Sequence, residues 1–234
     1  MEKRDKFFLL VLAVVVFFVG AVEFMLSAML GPLAEAFQTS AAGASWLISS
    51  YAFSYALAAP VFGYLSDRID RVRLLLFALP AFAIDGMGIA LAPNLEVAMA
   101  LRVFGGIASA VLISTAFALV SEIVPRERQA GAMGLVMFGM TLGIALGPAL
   151  AGLLTAWSDW RTPFLAIAGG CMVAFPIGLK TAPRQHSGRA AAGSRLFHWF
   201  GNWRILRPLI AKGAWNGTGV GGLSVVGGNS GTAP

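Results

Sequence analysis

Cysteine and charge are both scarce in this chain of 234 residues. Its one cysteine, Cys171, excludes an intramolecular disulfide and indicates no metal site. Only 12% of the residues are charged, whereas 58% are hydrophobic. Soluble globular domains have about 25% charged and about 45–50% apolar residues. The composition therefore excludes a soluble globular protein and predicts an integral membrane protein.

Catalytic constellations are missing as well. The sequence shows no nucleophile–base set, metal cluster or phosphate loop, so we expect neither an enzyme nor a bound cofactor. Residues 217–222 formally match the dinucleotide-binding pattern G-x-G-x-x-G. No predicted strand precedes them and no predicted helix follows, so the match carries little weight.

Six apolar stretches approach or exceed the roughly 20 residues that a helix needs to cross a bilayer. They cover residues 7–30, 45–66, 74–92, 96–124, 131–155 and 162–180. The first is longer than the apolar region of a signal peptide, which has about 7–15 residues. It also contains Glu23, so we expect it to be retained. The prediction is an all-α membrane protein with six transmembrane helices.

Basic residues lie almost entirely on one side of these stretches. Fifteen of the 17 are Lys3, Arg4, Lys6, Arg68, Arg71, Arg73, Arg126, Arg128, Lys180, Arg184, Arg189, Arg195, Arg204, Arg207 and Lys212. Because cytoplasmic loops are enriched in Lys and Arg, both termini are predicted to be cytoplasmic, in a plasma membrane or a bacterial inner membrane. Trp46, Trp157 and Trp160 then fall near the outer interface, as an aromatic belt would.

The chain changes character twice after the sixth stretch. Residues 182–208 mix basic and aromatic residues, which favours a cytoplasmic loop at the lipid surface over a nucleic-acid-binding patch. Residues 209–234 are rich in glycine and offer no further span. We therefore predict a bundle over residues 1–181, then this basic loop, then an unstructured tail that a truncation or frame shift would explain.

Charges separate the second stretch from the third. Residues 67–73 hold five charges in seven positions, and a charged side chain costs about 2.5 to 3.5 kcal/mol at the centre of a membrane helix. We expect a tight turn outside the hydrocarbon. Gly63 and Asp67 lie four apart on one helix face, which predicts close packing at the glycine and a neighbour for the carboxylate.

This turn resembles the signature loop of the major facilitator superfamily, roughly G-x-L-x-D-R-x-G-R-R/K. The matching residues are Gly63, Leu65, Asp67, Arg68 and Arg71, whereas Asp70 replaces a glycine and Val72 a basic residue. The resemblance implies that the loop stabilises and gates the cytoplasmic face, with its Asp and Arg bonded to neighbouring helices. The alternative is an ordinary positive-inside turn.

Two further stretches resemble the drug- and sugar-efflux antiporters of that superfamily. Arg102 and Gly106 match R-x-x-Q-G-x-G, in which the arginine is implicated in proton coupling, although Gly105 replaces the glutamine and Ala108 a glycine. The antiporter helix motif G-x₃-G-x₃-G-P-x₂-G-G is similar to Gly139, Gly143, Gly147, Pro148 and Gly152, with Ala151 replacing one glycine. Its spacing predicts a smooth ridge for close helix contact, and the proline can bend the helix. The alternative is an ordinary packing face.

Three charges lie inside predicted spans: Glu23, Asp85 and Arg102. Intramembrane ionisable groups are functional candidates and should pair. Glu23 resembles the acidic residue that many efflux antiporters carry in their first helix, which implies proton coupling; the alternative is a structural ion pair with Arg102. Asp85 and Arg102 are nearly equidistant from the turn at residues 93–94, so a hairpin brings them to one depth. Asp85 is expected to be an isolated neutral carboxyl or a partner for Arg102.

The resemblance covers about residues 7–207 and implies the amino-terminal half of such a transporter, built from two inverted three-helix repeats. The expected function is efflux of small amphiphilic drugs or sugars driven by the proton gradient, by a truncated or half-size transporter. Its expected partners are the bilayer, a small-molecule substrate and a second half, which is either a second copy of the chain or another half-transporter. The alternatives are a non-transporting fragment and a six-helix structural subunit.

Overall fold

The computed structural model describes residues 3–66 and 68–182, and these residues form helices joined by short turns. The α-helices are α1 (Lys3–Met25), α2 (Leu30–Ala36), α3 (Ala41–Leu65), α4 (Arg71–Ala90), α5 (Leu95–Ile123), α6 (Arg126–Trp157) and α7 (Thr162–Thr181). A short 3₁₀ turn, Leu26–Ala28, joins α1 to the segment before α2. The two predicted regions from residue 183 onward, the basic loop and the tail, lie outside the described residues.

Five of these helices are long and apolar enough to cross a membrane. They are the Arg4–Ala28 segment, α4, α5, α6 and α7. The helix α3 has 25 residues and no charge, but its serines and tyrosines lower its hydropathy. The predicted all-α membrane architecture is confirmed, whereas the count of six spans stays a prediction.

Side-chain caps begin three of the long helices. The side chains of Ser40, Asp70 and Asn94 accept hydrogen bonds from backbone N–H groups three residues on, at 3.0, 3.0 and 2.9 Å. Such a cap stabilises a helix by about 1 kcal/mol. Asp70, which departs from the glycine of the signature loop, therefore starts α4.

The helices pack in a pattern with internal symmetry. The main contacts pair α1 with α6, α3 with α5, α4 with α5 and α7, and α1 with α7. When α1 is exchanged with α5, α3 with α6 and α4 with α7, each contact pair becomes another pair of the same set or stays itself. The pair of α1 with α6, for example, becomes the pair of α3 with α5. Two inverted three-helix repeats would produce such a pattern, and this organisation stays a prediction.

The glycine ridge of α6 lies directly against α1. A Cβ atom on Gly147 would lie 2.8 Å from the Cα and the carbonyl oxygen of Ala21, and one on Gly143 would meet the carbonyl oxygen of Phe17. Gly139 faces the backbone of Ala13 in the same way. The predicted close contact is confirmed, and α6 continues through Pro148 to its end.

One member of the predicted aromatic belt is buried instead. Trp160 is only 8% exposed, and its ring centre lies 5.3 Å from that of Phe37 and 6.3 Å from that of Phe164. The turn before α7 thus packs the Trp160 ring against neighbouring aromatic residues, and its place near the outer interface stays a prediction. Trp46 and Trp157 are 64% and 81% exposed.

Candidate functional site

Two of the predicted intramembrane charges form a buried ion pair. The Nη2 atom of Arg102 on α5 lies 2.7 Å from the Oδ2 atom of Asp85 on α4, and both side chains are 1% exposed. The short turn between these helices brings the residues to one depth, as their spacing predicted. Pairing of Asp85 with Arg102 is thus confirmed. The alternative pairing of Arg102 with Glu23 is wrong, because the guanidinium turns towards α4.

A glycine creates the space for this pair. Gly105 lies one turn after Arg102, and a Cβ atom there would lie 2.7 Å from Oδ1 of Asp85 and still closer to the rest of that carboxyl. Any side chain at position 105 would displace the carboxyl. In the sequence, Gly105 is only a departure from the efflux motif. Nothing there indicates that this glycine makes room for the Asp85 carboxyl.

Aromatic rings enclose the guanidinium of Arg102. Its central carbon lies 5.0 Å from the ring centre of Tyr51 and 5.7 Å from that of Phe164. The Tyr51 hydroxyl donates a 2.6 Å hydrogen bond to Ser109 Oγ, which in turn donates to the carbonyl oxygen of Gly105 at 2.8 Å. Ring faces attract cations, so these contacts stabilise a charge that is shielded from solvent.

The ion pair leaves two of its own atoms unsatisfied. Oδ1 of Asp85 and Nε of Arg102 are buried, and neither has a hydrogen-bond partner in the described part of the chain. An arginine can bind a carboxylate through two parallel hydrogen bonds, but only one is made here. An unsatisfied buried polar group costs about 1–3 kcal/mol. The pair is therefore weaker than the residues allow.

Glu23 takes no part in this pair. Its side chain is partly exposed on α1. Among residues 3–66 and 68–182, none forms a hydrogen bond or an ion pair with its carboxylate. Ser27, one turn further on, donates to the carbonyl oxygen of Phe24 instead.

The signature loop ties α4 to its neighbours. Nη1 of Arg71 donates to the carbonyl oxygen of Ala118 and to Oε2 of Glu122 on α5, both at 3.1 Å, and Nε donates to the carbonyl oxygen of Ser66. The guanidinium of Arg68 lies over the ring of Tyr64, 4.5 Å from its centre. The resemblance to the family's loop implied bonds from its arginine to neighbouring helices. Nothing in the sequence identified Glu122 as the partner.

Gly63 has open space beside it in the described part of the chain. Among the described residues, no atom lies within 4 Å of the position that a Cβ atom would take there. The expected close packing at Gly63 is thus not seen in the described part of the chain, and it stays a prediction. Asp67, four residues on, lies outside the described residues. Gly152, the last glycine of the α6 motif, is open in the same way.

Arg71 is expected to contribute more to stability than the nearby Arg73. Arg71→Ala removes hydrogen bonds to two backbone carbonyls and a carboxylate, and we expect a loss of about 1–3 kcal/mol. Arg73 is 79% exposed, with one 3.4 Å contact to Asp70, so Arg73→Ala should cost less than about 1 kcal/mol. Thermal unfolding of both variants in one detergent measures the difference. Equal losses would contradict the bracing role of Arg71.

An apolar groove runs between α1 and α7. Its volume is about 420 Å³, and its lining consists of Phe7, Leu10, Val11, Val14, Phe18, Gly169, Gly170, Val173, Ala174 and Ile177. None of these side chains is titratable, and Glu23, Asp85 and Arg102 lie elsewhere. The groove therefore has no group that would bind a proton or a polar solute.

Comparison with known proteins assigns the fold and the family. A sequence profile of the Major Facilitator Superfamily matches residues 12–229, which extends past the residues that carried the resemblance. The "Uncharacterized MFS-type transporter YwoD" of Bacillus subtilis (strain 168) is 32% identical over 161 residues, which are 69% of this chain and 35% of YwoD. A "Probable sugar efflux transporter" of Helicobacter pylori (strain P12) is 30% identical over 74% of this chain and 44% of its own length.

A solved structure has the same fold at low sequence identity. A bacterial homologue of the human lysosomal transporter Spinster, in an inward-facing and unoccupied conformation, superposes with a TM-score of 0.71 at 20% identity. The match covers 90% of this chain and 50% of the homologue. The chain thus spans about half or less of the length of each of these proteins. It belongs to the major facilitator superfamily, whose matched members are transporters and not enzymes.

Proposed function

We propose that this chain carries out proton-coupled efflux of small amphiphilic drugs or sugars as one half of a transporter. The observation that carries the proposal is the carboxylate of Glu23, which is partly exposed and has no hydrogen-bond or ion-pair partner among the described residues, in a bundle that also buries an Arg102–Asp85 pair. The name of the Helicobacter relatives, probable sugar efflux transporters, supports export. The glycine ridge of α6 resembles the antiporter motif and supports it further.

Glu23 is the proposed site of proton binding. Among these three residues, it alone combines partial exposure with a carboxylate that no described residue engages. Burial disfavours the charged form of a carboxyl, and a nearby guanidinium favours it. Arg102 does not release its proton under working conditions, so its positive charge is constant. Its side chain would respond to whether Glu23 is charged.

The loop at residues 63–73 is proposed to gate one face of the bundle. Arg71 binds the end of α5, and a change in that contact would free α4 to move relative to α5. Asp67 belongs to the same proposal by its position in the motif. The distribution of Lys and Arg supports a cytoplasmic position for this face and for both termini in a plasma membrane.

A second six-helix bundle is proposed to complete the transporter, with the substrate between the two. The matched part covers only 35% and 44% of the two curated relatives, so further sequence, a second copy or another chain would supply the rest. The proton gradient would be the energy source. The same partial coverage favours the second candidate, a six-helix subunit or fragment without transport of its own.

Glu23→Gln is expected to reduce the rate of proton-driven export to less than about a tenth of that of the unaltered protein. The amide keeps the shape of the side chain but binds no proton. Proteoliposomes that hold the chain with its second half would receive a pH gradient, and uptake of ethidium and radiolabelled glucose would be followed. Glu35→Gln, an exposed carboxyl on α2, is the matched control and should transport normally.

Two outcomes would reject parts of this proposal. Normal export by Glu23→Gln, with unchanged pH dependence, would show that Glu23 only packs or pairs. No uphill transport by the unaltered protein in any assembly would favour the structural subunit.

A further inference from the structure

The apolar groove between α1 and α7 has a buried floor and exposed walls. Val11 and Ala174 on its floor are buried, whereas Phe7 and Val173 on its walls are exposed. No side chain that lines the groove is polar, so water gains no hydrogen bond from them and an apolar occupant is favoured. The groove therefore suits a hydrocarbon chain that enters from the side of the bundle.

The length of the groove matches one leaflet of a bilayer. Its lining on α1 runs from Phe7 to Phe18, which is about 16 Å at the rise of an α-helix. Half of the hydrocarbon core of a bilayer is about 15 Å thick. At the far end the Phe18 ring lies against Gly170, where a Cβ atom would be 2.8 Å from one ring carbon and closer to another. The groove thus follows the path of one acyl chain.

Two cations lie at the open end of the groove. Arg4 precedes Phe7 by three residues on α1, and Lys180 follows Ile177 by three on α7, so each lies on the face of its helix that lines the groove. Because Phe7 and Ile177 line the same groove while Phe18 lies against Gly170, the two helices run antiparallel and both cations are at one end. Both side chains are exposed, and neither forms an ion pair with another described residue.

The other charges at the start of α1 do not change the sign of this end. Lys6 lies four residues before Leu10 of the lining, so it adds a third cation beside the groove. Asp5 precedes Phe8 and Leu9 by three and four residues, and both of these are buried in the bundle. The carboxylate therefore belongs to a different face of α1 from Arg4.

We propose that this groove binds one anionic phospholipid, taken from the leaflet on the side of the amino terminus. One acyl chain would lie between α1 and α7 as far as Phe18, and the phosphate would lie between Arg4 and Lys180. Apolar contacts along the groove accept the chain of any phospholipid, whereas the cations select a negative headgroup. The site requires no transport and is independent of the proposed function.

Charge favours the lipid over the other possible occupants. The chain carries a net charge of +6, so a second copy would bring positive charge to a positive site. The residues that follow α7 begin with the basic Arg184 and Arg189, which the same cations would repel. An anionic lipid brings both the apolar chain and the opposite charge.

The headgroup part of the site is tested by native mass spectrometry of the full chain in detergent. Phosphatidylglycerol and phosphatidylcholine with the same acyl chains would be titrated separately. We expect one phosphatidylglycerol to bind at least about tenfold more tightly than phosphatidylcholine, and Arg4→Gln or Lys180→Gln to weaken only phosphatidylglycerol, each about fivefold. Arg73→Gln removes an exposed cation outside the groove and is the matched control, with unchanged binding of both lipids.

The acyl-chain part is tested by filling the groove. Gly169 lines it, and no described atom lies within 4 Å of the position of a Cβ atom there, so Gly169→Phe places a ring in the groove without a clash at Cβ. It should weaken binding of both lipids several-fold. Gly152→Phe on α6 is the matched control, since Gly152 has equally open space and lies outside the groove.

A photoreactive residue identifies the occupant in the membrane itself. Val173→p-benzoylphenylalanine puts the probe on a wall of the groove, and illumination of cells that contain the full chain should add the mass of an anionic phospholipid. Crosslinks to residues beyond 182 or to a second copy would overturn the proposal. So would equal binding of the two lipids by the unaltered protein, or equal loss in Gly169→Phe and Gly152→Phe.

Discussion

Replacing Gly143 with alanine is expected to destabilise the bundle strongly, although it adds only one methyl group. The new Cβ atom would meet the carbonyl oxygen of Phe17 and lie 2.8 Å from the amide nitrogen of Ala21. These are backbone atoms of α1, so the clash cannot be relieved by turning a side chain. The two helices would have to separate, and overpacking of this kind costs about 1–3 kcal/mol or more.

The same helix provides a matched control for this prediction. Gly152 lies in the same motif on α6 and has no described atom within 4 Å of its Cβ position. Gly152→Ala should be neutral or slightly stabilising, because alanine favours a helix by about 0.5–1 kcal/mol over glycine. Thermal unfolding in detergent compares the two variants. A loss at Gly152 as large as at Gly143 would show that the ridge against α1 is not the cause.

Arg102→Ala is expected to cost about 3–5 kcal/mol, because it leaves the Asp85 carboxylate buried and unpaired. The side chain is among the largest that are fully buried in the described part of the chain, so lost packing adds to the charge effect. Thermal unfolding and the yield of folded protein in detergent extracts would measure the loss. Arg102→Gln removes the charge but keeps part of the side-chain length, so the difference between the two variants measures the lost packing.

The double variant Asp85→Asn with Arg102→Gln should be more stable than Arg102→Gln alone. Removing both partners of a buried pair eliminates the stranded charge, and such replacements are often nearly neutral. If the double variant were no more stable than the single one, the ion pair would not be the reason for the loss. Contacts of Arg102 with Tyr51 and Phe164 would then dominate.

The prediction at Gly143 depends partly on the sequence and partly on the tertiary structure. The ridge on α6 was predictable from the sequence, because a spacing of four residues places glycines on one helix face whatever the partner is. Its partner helix was not, since any of several helices could have met that face. Gly152 shows the limit, because it continues the motif and yet faces open space.

The sequence by itself determined the long helices and their approximate ends, but it did not indicate the short helix α2. Long apolar stretches must form helices in a bilayer, where every backbone group needs an internal partner, and caps such as Asp70 and Asn94 mark where they begin. It also determined that Asp85 and Arg102 lie at one depth in the membrane, because both are nearly equidistant along the chain from the short turn that joins their helices. These features depend on neighbours along the chain.

Only the tertiary structure decided which side chains meet. Rotation of each helix about its axis turned Arg102 towards Asp85 rather than Glu23 and left Gly63 without a close neighbour among the described residues. The turn before α7 buried Trp160. The tertiary structure also explained the glycine at position 105, where a Cβ atom would overlap the Asp85 carboxyl. Such choices depend on how all the helices pack at once, because contacts between residues on different helices are settled by shape and charge across the bundle.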